Sequence, residues 1–245
     1  MRACAQVVAE TDGLGGTRLA VLRGEAPLLL RRTAATPGTA VVHLVGGAAG
    51  PLGGDDLHLD VRVGPGAALE LRSVAASMAL PHRSGAASTM RVRATVAADA
   101  TLRWLPEPLI AAAGCHHRAF VEVDVAIGGR LLWRDDVVCG RHGEQPGDLL
   151  TDSTVRYAGD TLHRHRLVLG PAAPGWSDAA VLGGGRAYGS VVIVDPSWST
   201  TGPPPARTLG PAAVLMPLAG PGMLATAVGA DARQVHAALG PLSSS

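Results

Sequence analysis

The chain has 245 residues, of which 47% are hydrophobic and 17% charged, and its net charge is +1. This length is enough for one large domain or two smaller ones with a substantial core. The balanced charge argues against nucleic acid and membrane partners. All 21 basic residues are arginine, which excludes a Walker A phosphate loop and a lysine Schiff-base enzyme.

The cysteines and the amino-terminal segment indicate a compartment. Cys4, Cys115 and Cys139 are widely spaced and form no Cys-x-x-Cys pair, which is typical of a reducing environment. Glu10 and Asp12 come before any apolar run of signal-peptide length. We therefore expect an unprocessed, cytoplasmic protein.

Most of the chain shows the apolar and polar alternation of β-strands. Turn signals separate the runs at intervals typical of a sandwich, barrel or layered sheet. The predicted strands are 17–22, 27–32, 39–45, 57–63, 67–75, 88–97, 100–106, 119–127, 129–139, 149–157 and 162–169. We predict a mainly β fold, a layered antiparallel or mixed β-sheet scaffold of many short strands, without a fixed-period repeat.

After Gly170 the pattern changes. A short helix is predicted at 179–182, a loop at 197–205 and a C-terminal helix at 231–239 with Asp231 as its N-cap. Strands are predicted at 188–195, 212–218 and 223–228. The uncharged run 208–230 is not expected to span a membrane, because prolines and glycines divide it into pieces of strand length.

Cys115, His116 and His117 are the candidates for metal ligands. Adjacent residues of a strand point to opposite faces, so at most two of them can share a site. No second Cys/His pair lies nearby to complete a tetrahedral centre. The pattern favours a surface loop over a metal site, and likewise His163 and His165 are interpreted as part of a polar strand face.

The densest cluster of charge is Asp135, Asp136, Arg141 and Glu144, within and just after a predicted strand. The three acids suit the acid/base pair of a carbohydrate-active β enzyme. Against this, seven aromatic residues leave few platforms for sugar stacking. The structural alternative pairs Arg141 with Glu144 in a turn and places the aspartates at a protected sheet edge. A plain β binding module is a third interpretation.

Four segments, read together, resemble the UreD (UreH) family of urease accessory proteins. They follow the family's order, and the resemblance is clearest over 17–170 and looser over 171–245. The segments are Gly46 to Asp55 with the following strand, Leu102 to Ile110, Asp136 to Glu144, and Leu162 to Leu167. The resemblance implies a single UreD-like domain over residues 1–245.

The resemblance also implies a role. UreD-like proteins are non-enzymatic scaffolds that bind UreF directly and the GTPase UreG through it, dock on apo-urease and pass nickel towards its active site. No cofactor is then tightly bound, and Ni²⁺ is only in transit. An ion passage needs weak, sequential contacts with oxygen atoms, because a single strong binding site would trap the ion.

Two hypotheses about residues follow. Asp55, Asp56 and Asp135, with Asp136 beside them, line or gate the passage, while Arg141 and Glu144 fix its walls. The UreF contact lies in the C-terminal third, where segments 179–194 and 212–228 carry more apolar surface than one small layer should need.

Overall fold

The computed structural model describes residues 1–33 and 37–243, and strands dominate this part of the chain. The first half contains β1 (Arg2–Thr11), β2 (Thr17–Arg23), β3 (Leu28–Arg32), β4 (Thr39–Gly46), β5 (Asp56–Val63), β6 (Ala68–Ser73), β7 (Ser77–Ala79), β8 (Ser88–Val96), β9 (Thr101–Leu105) and β10 (Leu109–Ala111). The second half contains β11 (His116–Val125), β12 (Arg130–Cys139), β13 (Asp148–Tyr157), β14 (Asp160–Leu169), β15 (Ala187–Val194), α1 (Trp198–Thr201), β16 (Arg207–Gly210), β17 (Ala213–Pro217), β18 (Gly222–Gly229) and α2 (Ala232–Ser243).

These strands form two sheets. Sheet A has the order β14-β13-β11-β8-β5-β1-β2. Sheet B has the order β16-β17-β18-β15-β12-β9-β6-β4-β3, and the short strands β10 and β7 extend from β12. Pairing is parallel from β4 through β12 in sheet B and from β1 through β13 in sheet A. The strands that continue these two orders pair antiparallel, whereas β10 and β7 pair parallel. The predicted mixed-sheet, mainly β fold is confirmed.

The parallel part is a coil that passes alternately through the two sheets, from β4 to β5, then β6, β8, β9, β11, β12 and β13. Successive turns of the coil have different lengths. In sheet B, Thr39 pairs with Ala68, 29 positions on, whereas Ala68 pairs with Thr101, 33 positions on. The loops therefore vary while the strand pairing is kept, which explains why the sequence shows no fixed period.

The main core lies between the two sheets and follows from strand alternation. On β5, Leu57, Leu59 and Val61 are buried, while Asp60 and Arg62 between them are exposed. Inward residues of β8, β9 and β11 continue the same cluster, which is built mainly from alanine, valine and leucine. A strand such as β5 thus has one apolar face towards the opposite sheet and one polar face away from it.

A second cluster forms on the outer face of sheet B, where α2 packs against β12, β15 and β18. The carboxylate of Asp231 accepts a hydrogen bond from the Gln234 backbone N–H at 3.0 Å, which confirms the predicted N-cap. Val235 and Leu239 are the buried residues of the helix. The helix comes close because Gly189 has no side chain: a Cβ there would lie 2.4 Å from Val235 Cγ1.

Several sequence predictions need correction. The predicted helix at 179–182 is wrong, because this segment forms turns that lead into the glycines 183–185. The predicted loop 197–205 contains the short helix α1. Strand β1 was not predicted, although it pairs with both β2 and β5 in the interior of sheet A. No helix within residues 1–33 and 37–243 is long and apolar enough to cross a membrane.

Candidate functional site

A cavity of about 590 Å³ lies between the two sheets. It reaches the surface at two loops, where the lining residues Ala48, Ala49, Val74 and Ala75 are exposed. Its walls are mainly apolar. The polar side chains of the described lining belong to Ser73, Ser77, Glu107, His117, Asp135, Thr151, Ser153, His163, His165, Tyr188 and Ser190, with Trp104 and Trp133 beside Asp135.

Asp135 is held in this cavity by two tryptophans. The rings of Trp104 and Trp133 stack with their centroids 4.8 Å apart and an interplanar angle of 13°. Trp133 Nε1–H donates to Asp135 Oδ2 at 2.7 Å, and Trp104 Nε1–H donates to Asp135 Oδ1 at 3.3 Å. Parallel pairing of Trp104 and Trp133 in β9 and β12 brings the two donors to the same side of sheet B.

The surroundings of Asp135 oppose its ionisation. Burial raises the pKa of Asp135 from 3.8 to about 6, the neighbouring charge of Asp136 adds to the rise, and the two indole hydrogen bonds only partly offset it. Part of its surface is nonetheless accessible, since the carboxylate borders the cavity. Asp135 is therefore an interior carboxyl group that changes charge close to physiological pH.

Three further ring side chains line the cavity, His163 and His165 from β14 of sheet A and Tyr188 from β15, which pairs with β12 in sheet B. His165 lies 6.1 Å from His163 and 5.8 Å from Tyr188, measured between ring centroids. Burial lowers the pKa of both histidines and raises the pKa of Tyr188 to about 12. The two histidines and Tyr188 are therefore neutral near pH 7. Asp135 is the group of this cluster whose charge changes close to that pH.

His117 occupies another part of the cavity wall. It is 2% exposed, and its Nδ1 lies 2.8 Å from Ser88 Oγ. Burial lowers the pKa of His117 to about 4, so the ring is neutral at physiological pH. Parallel pairing of β8 and β11 places Ser88 beside His117 and fixes this contact.

Asp136 points to the other face of β12, although its backbone borders the cavity. Arg134 donates two hydrogen bonds to Asp136 Oδ2, at 2.6 and 3.0 Å, and both residues are over 90% buried beneath α2. Asp136 Oδ1 is buried and has no hydrogen-bond partner in the described structure. The predicted sheet-edge position of the aspartates is wrong, because β12 lies between β9 and β15.

Asp55 and Asp56 lie outside the cavity lining. Asp55 accepts hydrogen bonds from the Met1 amino group at 2.8 Å and the Leu52 backbone N–H at 2.9 Å, which fastens the preceding glycine-rich loop to β1. Asp56 points away from the core and pairs with Arg91. Although desolvation opposes it, the bond from Arg91 and the nearby His58 lower the pKa of Asp56.

Arg141 and Glu144 pair with each other in the turn after β12. Arg141 donates from Nη2 to Glu144 Oε1 at 2.6 Å and from Nε to Oε2 at 2.9 Å. These bonds lower the pKa of Glu144 to about 2. The pair closes its own turn, and neither residue belongs to the described cavity lining.

The candidate metal ligands also separate. His116 is half exposed, and its Nδ1 lies 3.0 Å from Asp148 Oδ2 on the outer face of sheet A, whereas His117 faces inward. Cys115 is buried, and burial raises the pKa of its thiol to about 11. In the part of the chain that the structure describes, no group of three His, Cys, Asp or Glu residues is arranged to hold a metal ion.

The acids proposed for a carbohydrate enzyme do not share one site. Asp135 faces the cavity, Asp136 faces α2, and Glu144 lies in the turn with Arg141. Consecutive strand residues alternate between faces, so Asp135 and Asp136 cannot flank a single glycosidic bond. The geometry of these three residues therefore does not support that alternative.

Sequence reasoning missed several cavity residues. His163 and His165 were interpreted as part of a polar strand face, yet they are half-buried and point inward, while the intervening Arg164 and the following Arg166 are exposed. The available signal was the alternation itself: histidines in phase with each other and out of phase with arginines. Trp104 and Tyr188 carried no comparable signal, since large aromatic residues in strands are usually core.

Comparison with known proteins identifies the family. The family model described as UreD urease accessory protein matches residues 1–244. Urease accessory protein UreD of Streptomyces coelicolor is 46% identical over 237 residues, which cover 96% of this chain and 93% of that protein. UreD 3 of Streptomyces griseus is 46% identical over 243 residues, covering 98% and 94%, and UreD of a Parafrankia strain is 42% identical over 263 residues, covering 99% and 88%. The chain therefore belongs to the UreD family of urease accessory proteins.

Proposed function

We propose that this protein is a non-enzymatic urease maturation factor, which binds UreF directly and UreG through UreF, docks on apo-urease and passes nickel towards its active site. Membership of the family supports the role in maturation. The observation that carries the passage is the cavity between the sheets, which reaches the surface and has the carboxyl group of Asp135 in its wall.

The chemistry of the wall suits a transient cation. Ni²⁺ accepts carboxylate, hydroxyl and water oxygens as well as imidazole nitrogen. Asp135 supplies one carboxylate, and Ser153 and Ser190 line the same space. One carboxylate among mainly apolar walls attracts a cation without enclosing it, so release is fast. The raised pKa of Asp135 weakens this attraction as the pH falls below about 6.

The passage proposal is tested with Asp135→Asn, which keeps the size of the side chain and removes its charge. Co-expression with UreF and UreG, followed by nickel analysis of the urease produced, should show less nickel per urease while UreF binding is kept. Asp60→Asn is the matched control, because Asp60 is an exposed acid on the outer face of sheet A. Normal nickel content with Asp135→Asn would remove Asp135 from the passage.

The UreF contact was placed in the C-terminal third because that part of the sequence is unusually apolar, and the structure gives another reason for those apolar residues. Val181 is exposed, but the apolar strand residues of the predicted segments 179–194 and 212–228 are largely buried in the clusters on the two faces of sheet B. Their hydrophobicity is therefore accounted for within the chain. Truncation before Asp195 would remove β18 and α2 and expose this core, so point substitutions on exposed surfaces are the sharper test of where partners bind.

A further inference from the structure

A line of polar side chains along the cavity wall connects sheet B with sheet A. Antiparallel pairing places Ser190 of β15 directly opposite Asp135 of β12, and Tyr188 lies two residues from Ser190 on the same face of β15. The ring of His165 in β14 lies 5.8 Å from that of Tyr188, and the ring of His163 lies 6.1 Å from that of His165, measured between centroids. Since all five residues line the cavity, the line begins at the carboxyl group and ends at two imidazoles.

The ring nitrogens of these two histidines have no internal partner. Within residues 1–33 and 37–243, no hydrogen bond or ion pair engages His163 or His165, and their contacts are those between rings. His117, the third histidine of the cavity lining, differs because a serine hydroxyl lies 2.8 Å from its Nδ1. His142 and His236 have no such partner either, but they are exposed to solvent. Half-buried nitrogens inside a cavity have less access to water, and leaving them unbonded costs free energy. A ligand would satisfy them.

The chemistry of the pair suits a transition-metal cation. Burial lowers the pKa of both histidines, so each ring is neutral near pH 7 and keeps a nitrogen lone pair for a ligand. Neutral imidazole binds Ni²⁺, Cu²⁺ and Zn²⁺, whereas Mg²⁺ and Ca²⁺ take oxygen ligands. Two nitrogen donors are fewer than a closed structural metal site has, and no group of three His, Cys, Asp or Glu among the described residues is arranged to hold a metal ion. An ion bound here would therefore be released again.

We propose that His163 and His165 form a transient nitrogen-donor site in the passage, which selects Ni²⁺ against Mg²⁺ and Ca²⁺. Asp135 attracts any cation by its charge, whereas the two imidazoles favour cations that accept nitrogen. The intervening Arg164 and the following Arg166 are exposed on the other face of β14, so their charges do not face the bound ion. This site rests on the proposed function, because nickel must enter the cavity to reach it.

Binding is tested on the purified full chain by NMR of the histidine rings, with NiCl₂ as the paramagnetic probe. The signals of His163 and His165 should broaden at about tenfold lower NiCl₂ concentration than those of the exposed His142 and His236, because two donors held side by side bind more tightly than one. Diamagnetic ZnCl₂ should restore the signals by competition, whereas an excess of MgCl₂ should not. Broadening of the exposed histidines first, or restoration by MgCl₂, would overturn the site.

The role in the passage is tested with His163→Gln combined with His165→Gln. Co-expression with UreF, UreG and urease under limiting nickel should give less nickel per urease than the unmodified chain gives. His163→Phe with His165→Phe keeps the rings, removes the nitrogens and should give the same loss, while retained UreF binding shows that a variant is folded. The matched control is His142→Gln with His236→Gln, two exposed histidines outside the cavity lining, which should load urease normally.

The outcomes separate the two proposals. If the unmodified chain does not raise the nickel content of urease above that of urease produced without it, the proposed function itself fails. If the unmodified chain raises the nickel content and the Gln and Phe double variants do so equally, the histidine site is overturned and the function stands. An equal loss with the control variant would show a general effect of removing histidines and would also overturn the site.

Discussion

The two faces of β12 place adjacent aspartates in opposite situations. On the cavity face, Asp135 accepts hydrogen bonds from two tryptophans and has no cationic partner among the contacts described for it. On the helix face, Asp136 is paired with Arg134 and covered by α2. One residue type therefore forms a tightly packed ion pair on one face of β12 and an accessible carboxyl group on the other. Packing on each face, rather than residue type, decides which role results.

Substitutions on the helix face should change the unfolding free energy more than those on the cavity face. Arg134→Met leaves the carboxylate of Asp136 buried without its cation, and breaking a buried pair in this way costs about 3–5 kcal/mol of unfolding free energy. Urea unfolding at pH 7 measures the loss. Adding Asp136→Leu to the same chain should recover most of it, because no buried charge is then left unpaired. A loss that persists in the double variant would instead point to the contacts of Arg134 with Ser243.

On the cavity face, removing the charge of Asp135 should raise the unfolding free energy instead of lowering it. Asp135 loses its proton near pH 6 in the folded chain but near 3.8 when unfolded, so the folded state holds more protons between these values. Stability of the unmodified chain therefore falls as pH rises through this window. Asp135→Asn removes the term and should raise the unfolding free energy at pH 7 by up to about 3 kcal/mol.

The pH profile identifies the cause of that gain. The difference between Asp135→Asn and the unmodified chain should shrink as the pH is lowered and vanish below about pH 4, where both states carry the proton. Thermal melts from pH 4 to 8 provide the comparison. A gain that is equal at every pH would be a packing effect. It would mean that the ionisation of Asp135 does not lower the stability of the folded chain.

The close approach of α2 should depend on Gly189. A Cβ at this position would lie 2.6 Å from Asp136 Oδ1 and 2.9 Å from Leu239 Cδ1, so Gly189→Ala forces the helix outward. We expect a loss of about 1–3 kcal/mol, the usual cost of overpacking. Gly210→Ala is the control, because a Cβ there would meet no atom within 4 Å. Equal losses for both substitutions would mean that strand flexibility, and not the helix contact, is responsible.

The smallest effect on stability is expected for an ion pair of similar geometry that is exposed to solvent. Arg141 and Glu144 approach to 2.6 Å, as Arg134 and Asp136 do, but Arg141 is more than half exposed. Arg141→Met should leave the melting temperature unchanged, since water replaces the lost contact and salt screens it. A loss as large as that of Arg134→Met would show that this turn, and not burial, governs the stability of the region.

Sequence patterns predicted much of the fold but not the arrangement of its strands. The pattern gave the strands at 57–63 and 149–157 that the structure bears out, and at 57–63 the alternating apolar residues are the buried ones. β1 was missed, although residues such as Ala3, Ala5 and Val7 alternate with more polar neighbours. Alanine carries little β signal by itself, and its burial here depends on the neighbouring β5.

The candidate site was predicted only in part. Asp135 was singled out from its charge within an apolar strand, and it does line the cavity. His163, His165 and Tyr188 were not, because they come from β14 and β15, which are distant in sequence from most of the other lining residues. Asp55 was grouped with Asp135 as an acid of the same kind, yet it lies at the glycine loop beside Met1.

The sequence by itself determined most of the strands and the family. Those features follow from local backbone geometry, in which side chains alternate with a period of two, and from residues in a recognisable order. Only the tertiary structure decided that β12 is an interior strand, with a cavity on one face and α2 on the other. What each face meets depends on strands and a helix brought from elsewhere in the chain, and alternation within one strand carries no information about them.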